Sequence, residues 1–228
     1  MFCDLRKMDQ EVFSVGRIKA HDGPKCLRWS WEVPRTSLHW RQIVKGGDYR
    51  RHAGNEEFVV DWPPQVLAFY ESKGRIYPER FVGKEEIYWS KITSVAPSFR
   101  LKCVTTEYDS VSPTLFNTEY RCDEFLLALL TCIACPSEGD CSHSEHPNRR
   151  CHVLVLPVCE AGTELKEAIC TNAKNLIVSA MDDWNIFETA WDFQSLSLLS
   201  LSIDPSLALV SSYTAWITNN KQAIAEMV

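Results

Sequence analysis

The residues of this sequence best suited to chemistry are cations and amides that could contact nucleic acid, and they surround a pair of glycines, Gly46 and Gly47. Arginine can form two hydrogen bonds with guanine, asparagine can do the same with adenine, and lysine more often holds phosphate. Adjacent glycines let the backbone adopt positive φ or approach a partner closely. The same local pattern is also that of a Gly-Gly turn before an ordinary strand with solvated charges. The candidate DNA-binding residues are Lys45, Arg50, Arg51, Asn55, Lys91 and Arg100.

A second group of versatile residues is the cysteine- and histidine-rich segment from Cys132 to His152. It holds enough thiols and imidazoles for a tetrahedral zinc ion. Only Cys132 and Cys135 have the spacing of a ligand pair, however, and proline and serine abound between the others. We therefore predict no metal site, and we keep a small zinc-binding or protein-interaction module as an alternative.

Carboxylates and aromatic residues near these candidates are predicted to pack or to be solvated rather than to catalyse a reaction. Asp183, Glu188 and Asp192 alternate with aromatic side chains, which favours a solvated acidic face around aromatic anchors over a paired-carboxylate site. We likewise predict that three aromatic residues near the cations belong to the core rather than to a base-stacking surface. These are Tyr49, Trp62 and Trp89.

Charge divides the chain into two unlike parts. Residues 1–102 carry 18 Lys and Arg against 13 Asp and Glu, whereas residues 103–228 carry 6 against 17. The first part can face a polyanion, and the second part cannot do so easily. The apolar runs are too short to cross a bilayer and no signal peptide is evident, so we expect a cytoplasmic protein with reduced thiols.

The predicted elements place strands first and helices later. Strands are expected over residues 57–62 and 86–92, and residues 99–103 alternate as a half-buried strand with one cationic face would. Asp123 is a predicted N-cap for a helix to about Leu130. Further helices are expected after Thr163 and after Asp204-Pro205, and the last pattern still runs at Val228, as in a truncated chain. The predicted fold class is α+β, with a strand-rich part followed by a mostly helical part.

Ten short blocks, in a shared order, resemble the target-recognition region of PglX-type adenine-specific DNA methyltransferases, which belong to the bacteriophage-exclusion (BREX) systems. No single block is specific, but their series extends over more than half of the chain. The blocks are 45–51 (KGGDYRR), 54–56 (GNE), 59–62 (VVDW), 75–76 (RI), 87–94 (IYWSKITS), 99–100 (FR), 112–116 (SPTLF), 125–130 (FLLALL), 156–158 (LPV) and 183–193 (DWNIFETAWDF).

The resemblance implies an S-adenosylmethionine-dependent enzyme that methylates N6 of adenine at a short double-stranded DNA site, with other phage-defence proteins as further partners. In such enzymes one part binds the cofactor and the extruded adenine, and a separate part reads the duplex. This chain resembles the reader alone. It has no G-x-G-x-x-G loop, and residues 61–64 (DWPP) do not fit the Asn/Asp-Pro-Pro-Tyr/Phe motif. We therefore predict no catalytic residue, no cofactor-binding residue and no Rossmann-like catalytic domain in this chain.

Departures from the family pattern fall at defined places. His52-Ala53 replaces aromatic residues, Ser112-Pro113 replaces a glycine, and residues 1–28 and 132–152 match nothing in the family. The predicted organisation is an unassigned segment over 1–44, a target-recognition-like region over 45–131, a Cys/His-rich insert or aberrant segment over 132–152, and a helical region over 153–228. The leading hypothesis is a DNA target-recognition fragment, and a nonfunctional gene remnant is the remaining alternative.

Overall fold

The computed structural model of the chain is an α+β fold, with short strands in its first half and long helices in its second. The structure describes residues 12–13, 23–72, 84–91, 97–109, 111–117, 123–133, 156, 158, 161–196 and 209–226. None of the helices within these ranges is long and apolar enough to cross a bilayer.

The first sheet carries the strands on either side of the Gly-Gly segment. Its spatial order is β2-β4-β3-β7, in which β4 runs antiparallel to β2 and β3, and β7 runs parallel to β3. The β-branched and aromatic run that predicted a strand over 57–62 forms β4. The strands are β2 (Leu27–Trp29), β3 (Trp40–Val44), β4 (Phe58–Asp61) and β7 (Glu107–Tyr108).

The second sheet has the order β1-β8-β5-β6, and every neighbouring pair in it is antiparallel. The strand predicted over 86–92 forms β5, which is shorter than expected and ends at Tyr88. The two sheets meet in a cluster formed by Val44, Tyr88, Tyr108 and Phe116. The strands are β1 (Val12–Phe13), β5 (Glu86–Tyr88), β6 (Arg100–Lys102) and β8 (Thr114–Asn117).

Helices cover the sheets and extend the chain. α2 packs Tyr70 against Ile43 and Val60 of the first sheet. α3 contributes leucines to a second core with Ile87 and Trp89, and α4 packs along α3. The helices are α1 (Gly23–Cys26), α2 (Pro64–Ser72), α3 (Asp123–Ile133), α4 (Thr163–Asn185) and α5 (Leu209–Glu226), with a 3₁₀ turn at Ser30–Glu32.

The helix predictions are confirmed in place, with two corrections at the N-termini. Asp123, predicted as an N-cap, is the first residue of α3. Gly162, not Thr163, is the N-cap of α4. The apolar positions of α4 are only partly covered, since Ala173 and Ala180 are buried while Leu165 is exposed. The predicted cap at Asp204-Pro205 and most of the Cys/His segment lie outside the described residues.

The cationic face predicted for residues 99–103 does not lie on the surface. Arg100 and Lys102 are buried, and so is Phe99 on the apolar face, where Leu101 is partly buried and Cys103 is exposed. Lys102 lies opposite Glu86 in the β5–β6 pair, with Nζ 3.3 Å from Glu86 Oε2. Its ammonium also donates to the carbonyls of Lys84, Cys103 and Thr106. A buried charge with this many partners is stabilising only while the set is complete.

We expect Lys102→Met to lower the free energy of unfolding by about 3–5 kcal/mol, because it leaves the Glu86 carboxylate buried without its cation. Urea denaturation at pH 7 measures this. Lys25→Met is the matched control, since Lys25 is exposed and its substitution should change stability by less than about 0.5 kcal/mol. Equal stabilities of the two variants would contradict this account of the Lys102 site.

Candidate nucleic-acid interface

The segment between β3 and β4, residues 45–57, is a loop with an unusual backbone, here called the glycine loop. Gly46, Gly47 and Gly54 have φ of +82°, +99° and +99°, which glycine adopts without steric cost. His52 and Asn55 also have positive φ, at +69° and +68°. The paired glycines thus use the positive φ that their residue type permits, and a backbone this irregular needs support from its surroundings.

Asn55 provides part of that support from within the loop. Its Nδ2 donates to the carbonyl oxygen of Asp48 at 2.6 Å, and the residue is buried. Gly47 faces this side chain so closely that a Cβ there would lie 2.9 Å from Asn55 Nδ2. The amide predicted to read adenine is therefore engaged inside the loop.

Arg100 supports the loop from below. It is fully buried, and its Nη1 donates to the carbonyl oxygens of Asp48 and Arg50 at 3.2 and 3.4 Å. Its Nη2 donates to Ser90 Oγ at 3.0 Å, and its guanidinium carbon lies 4.7 Å from the centre of the Tyr88 ring. A guanidinium enclosed in this way holds the loop and does not reach the protein surface.

Backbone pairing and hydroxyl groups complete the support. His52 forms two backbone hydrogen bonds with β6 and the residue before it: His52 N donates to Phe99 O, and Leu101 N donates to His52 O. Ser90 Oγ donates to Gly47 O, and Ser112 Oγ accepts from Gly46 N. Ser112, which departs from the family pattern, thus satisfies a buried amide.

Arg50 joins the loop to the end of α4. Its Nη1 lies 2.9 Å from Asp183 Oδ2, and its guanidinium carbon lies 5.0 and 5.2 Å from the ring centres of Trp184 and Phe187. Gly54 allows the approach, since a Cβ there would lie 3.3 Å from the Trp184 ring. Glu188 and Asp192 are exposed as predicted, and the Asp183 side chain is 44% exposed although it pairs with Arg50.

Tyr49 and Arg51 form the outward tip of the loop. Tyr49 is 44% exposed, so its predicted place in the core is wrong, while Trp89 is buried and Trp62 is partly buried. Arg51 is exposed, and its Nε donates to Tyr49 Oη at 2.5 Å. The Arg51 guanidinium also lies 5.6 Å from the centre of the Tyr49 ring. This pairing limits the rotamers of Arg51 at the surface.

The six predicted DNA-binding residues thus divide by exposure. Lys45 is partly exposed, lies 3.8 Å from Asp109 and covers the Phe58 ring. Lys91 is exposed. Arg51 and Lys91 are on the surface, Lys45 and Arg50 are partly exposed, and Asn55 and Arg100 are buried.

A carboxyl group beneath the loop is electrostatically unusual. Glu56 is buried, and burial raises its pKa from 4.5 to about 7, although Lys102 and Arg100 act in the opposite direction. Gln42 Nε2 donates to its Oε2 at 3.3 Å. Burial also lowers the pKa of His52, and the neighbouring Arg51 adds to that effect.

Metal chemistry receives no support from the part of the chain that the structure describes, where no cluster of three His, Cys, Asp or Glu residues could hold an ion. Cys132 is exposed on α3, and the other cysteines and histidines of the segment, from Cys135 to His152, lie outside that part. The sequence reasoning missed Ser90, Ser112 and the Tyr88 hydroxyl, which donates to Gly54 O. Tyr88 and Ser90 stand inside block 87–94 of the family resemblance, which was the available signal, whereas Ser112 stands where the family has a glycine.

Comparison with known proteins gives two related enzymes, while no protein-family model matches. The chain is 28% identical over 169 residues to the adenine-specific methyltransferase PglX of Lacticaseibacillus casei (strain Zhang), covering 71% of this chain and 14% of that protein. It is 23% identical over 168 residues to the adenine-specific methyltransferase BrxX of Escherichia coli O9:H4 (strain HS), covering 70% and 13%. The similarity supports a relationship to adenine-specific methyltransferases, and the chain spans about 14% of the length of these relatives.

We expect Arg100→Met to destabilise the protein by about 3 kcal/mol, because buried carbonyl and hydroxyl oxygens lose their donor. Hydrogen exchange of the amides in residues 46–55 should accelerate. Arg51→Ala is the matched control, since this arginine lies at the surface tip and its removal should change stability by less than about 0.5 kcal/mol. Similar unfolding midpoints for both variants would contradict the supporting role of Arg100.

We expect Glu56→Gln to stabilise the protein above pH 7. A carboxyl pKa that is raised on folding gives stability that is complete below pH 4.5 and is lost as the pH rises to about 7. The loss corresponds to about 3 kcal/mol, which the neutral amide avoids. Urea denaturation should show that the variant has a higher free energy of unfolding than the wild-type protein at pH 8, and that the difference is smaller at pH 5. A difference that does not depend on pH would contradict the raised pKa of Glu56.

Proposed function

We propose that this chain is the DNA target-recognition part of an adenine-specific N6 DNA methyltransferase that acts in phage defence. The observation that carries the proposal is the glycine loop, an irregular backbone fixed from below by Arg100 that directs Tyr49 and Arg51 outward. The relationship to two adenine-specific methyltransferases supports the same function.

Arg51 is the residue we propose for base reading. Its guanidinium stands at the tip of a supported loop and is oriented by Tyr49. Arginine at such a position can bind guanine O6 and N7 together, a contact worth about 1–3 kcal/mol of discrimination. Because the loop is already ordered, binding DNA through it loses less conformational entropy than binding through an unstructured segment.

Lys45 and Lys91 are proposed to contact phosphate, since a flexible ammonium holds the backbone better than it reads bases. Arg50 is only partly exposed and is paired with Asp183, so we propose that it aligns the recognition region with α4. Asn55 and Arg100, which were candidates from the sequence, enter this proposal as supports of the loop.

The remaining steps of the reaction belong to other parts of the enzyme in this proposal. The sequence has no cofactor loop and no Asn/Asp-Pro-Pro-Tyr/Phe motif, so S-adenosylmethionine and the extruded adenine would be held elsewhere. We propose residues 45–131 as the recognition region and residues 153–228 as its helical support. The role in a BREX system rests on the family resemblance, and other phage-defence proteins would be its partners.

We expect the 228-residue chain to bind duplex DNA with an affinity that falls as salt rises, because lysine and arginine displace condensed counterions. Arg51→Ala should weaken binding about fivefold or more, whereas Lys174→Ala on α4 should leave it unchanged. A duplex that binds the wild-type chain is first selected from a library of random sequences. Fluorescence anisotropy with this labelled duplex then measures the affinity of each variant and its dependence on salt. Absence of binding at low salt, or equal affinities for the two variants, would refute the proposal.

A further inference from the structure

A ladder of three aromatic rings and one cation lies on the first sheet, beside the glycine loop. Trp31 stacks on Trp29 with ring centres 4.8 Å apart, and Trp29 stacks on Phe58 at 4.2 Å. The Lys45 ammonium lies 5.4 Å from the centre of the Phe58 ring. The ladder therefore begins at the first residue of the glycine loop and ends at Trp31.

The outer end of the ladder is open to solvent. Trp31 is 51% exposed and Trp29 is 38% exposed. Beside them lies a shallow cavity of about 230 Å³, which is lined by Leu27, Arg28, Trp29, Glu32 and Phe58. Two neighbouring indoles left this exposed form an apolar planar surface, and such a surface is typical of a binding site.

The exposed indoles are held in place by their surroundings. The backbone N–H of Trp29 donates to Glu32 Oε2 at 2.9 Å, which closes the 3₁₀ turn that carries Trp31. Ser30 N donates to Glu57 O at 2.8 Å, and Ser30 Oγ donates to Thr189 O at 2.6 Å. The turn is thus tied both to the end of the glycine loop and to the segment after α4. A platform ordered in advance loses little entropy when a flat ligand stacks on it.

We propose that this ladder is a stacking site for an unpaired nucleobase of bound DNA. The inference rests on the proposed function, because an enzyme that methylates adenine N6 must extrude a base from the duplex, which leaves its partner base unpaired. A nucleobase presents a planar π face to Trp31, and stacking on aromatic side chains tolerates any base. Arg28 lines the cavity and can face an adjoining phosphate, as can the partly exposed Lys45, which also lies 3.8 Å from Asp109. Glu32 can accept a hydrogen bond from an exocyclic amino group.

The cation at the inner end of the ladder favours DNA over a peptide as the occupant. Aromatic grooves also bind proline-rich peptides, but the backbone of such a peptide has no phosphate for Arg28 and Lys45 to contact, whereas DNA carries one at every nucleotide. The ladder is also continuous, through Lys45 and Glu57, with both ends of the loop that we propose to read the duplex. One bound DNA molecule could therefore contact both surfaces.

The test compares two DNA probes on the 228-residue chain: a fully paired duplex, and the same duplex with one extra unpaired thymine. We expect tighter binding of the bulged probe, with quenching of tryptophan fluorescence. Trp31→Ala should weaken binding of the bulged probe roughly 5- to 150-fold and leave the paired probe unchanged. Trp31→Phe should restore most of the loss, because it keeps an aromatic plane. Leu38→Ala removes an exposed apolar side chain outside the ladder and is the matched control.

The outcomes separate this inference from the proposed function. Equal binding of the two probes, with Trp31→Ala without effect, would overturn the stacking site and leave duplex recognition intact. Binding of a proline-rich peptide that depends on Trp31, without preference for the bulged probe, would overturn it in favour of a peptide site. Failure of the wild-type chain to bind either probe at low salt would refute both proposals. Unchanged urea midpoints for the Trp31 variants establish that they are folded.

Discussion

The buried guanidinium of Arg100 is the interaction on which the candidate site depends. The glycine loop adopts a backbone that most residues avoid, and its carbonyl oxygens point into the protein rather than along a sheet. One side chain with several donors in a plane satisfies carbonyls of Asp48 and Arg50 and a hydroxyl of Ser90 together. A lysine could not reach three such acceptors in a plane, so the loop and the arginine require each other.

The region beneath the loop is a polar core, unlike the apolar clusters on either side of it. It consists of four buried ionisable side chains, those of Glu56, Glu86, Arg100 and Lys102. Burial raises the pKa of each carboxyl group and lowers the pKa of each cation, so it favours the neutral form of all four. Such a core contributes less stability than aliphatic side chains of the same volume would. The polar core instead determines the conformation of the loop, because hydrogen bonds of fixed geometry select one conformation among the many that a glycine-rich segment allows.

The sequence predicted those features that depend on neighbouring residues. β4 followed from β-branched and aromatic content, α3 from Asp123 and the apolar run behind it, and α4 from apolar residues at helical spacing after Thr163. The features that it did not predict depend on distant residues. Alternation over 99–103 defined an apolar and a cationic face, but it did not show that the cationic face is covered as well, and Arg100 was therefore assigned to the surface. The pairing of Arg50 with Asp183 spans 133 positions, and no local pattern encodes it.

The separation between the buried support of the loop and its exposed tip has an evolutionary consequence. Tyr49 and Arg51 contact one another at the surface, while the conformation beneath them is determined by residues such as Asn55 and Arg100. Substitutions at positions 49 and 51 should therefore change the surface of the loop without destabilising the fold. A lineage carrying this loop can change the surface that the tip presents one substitution at a time, while substitutions of Asn55 and Arg100 would disturb the loop itself.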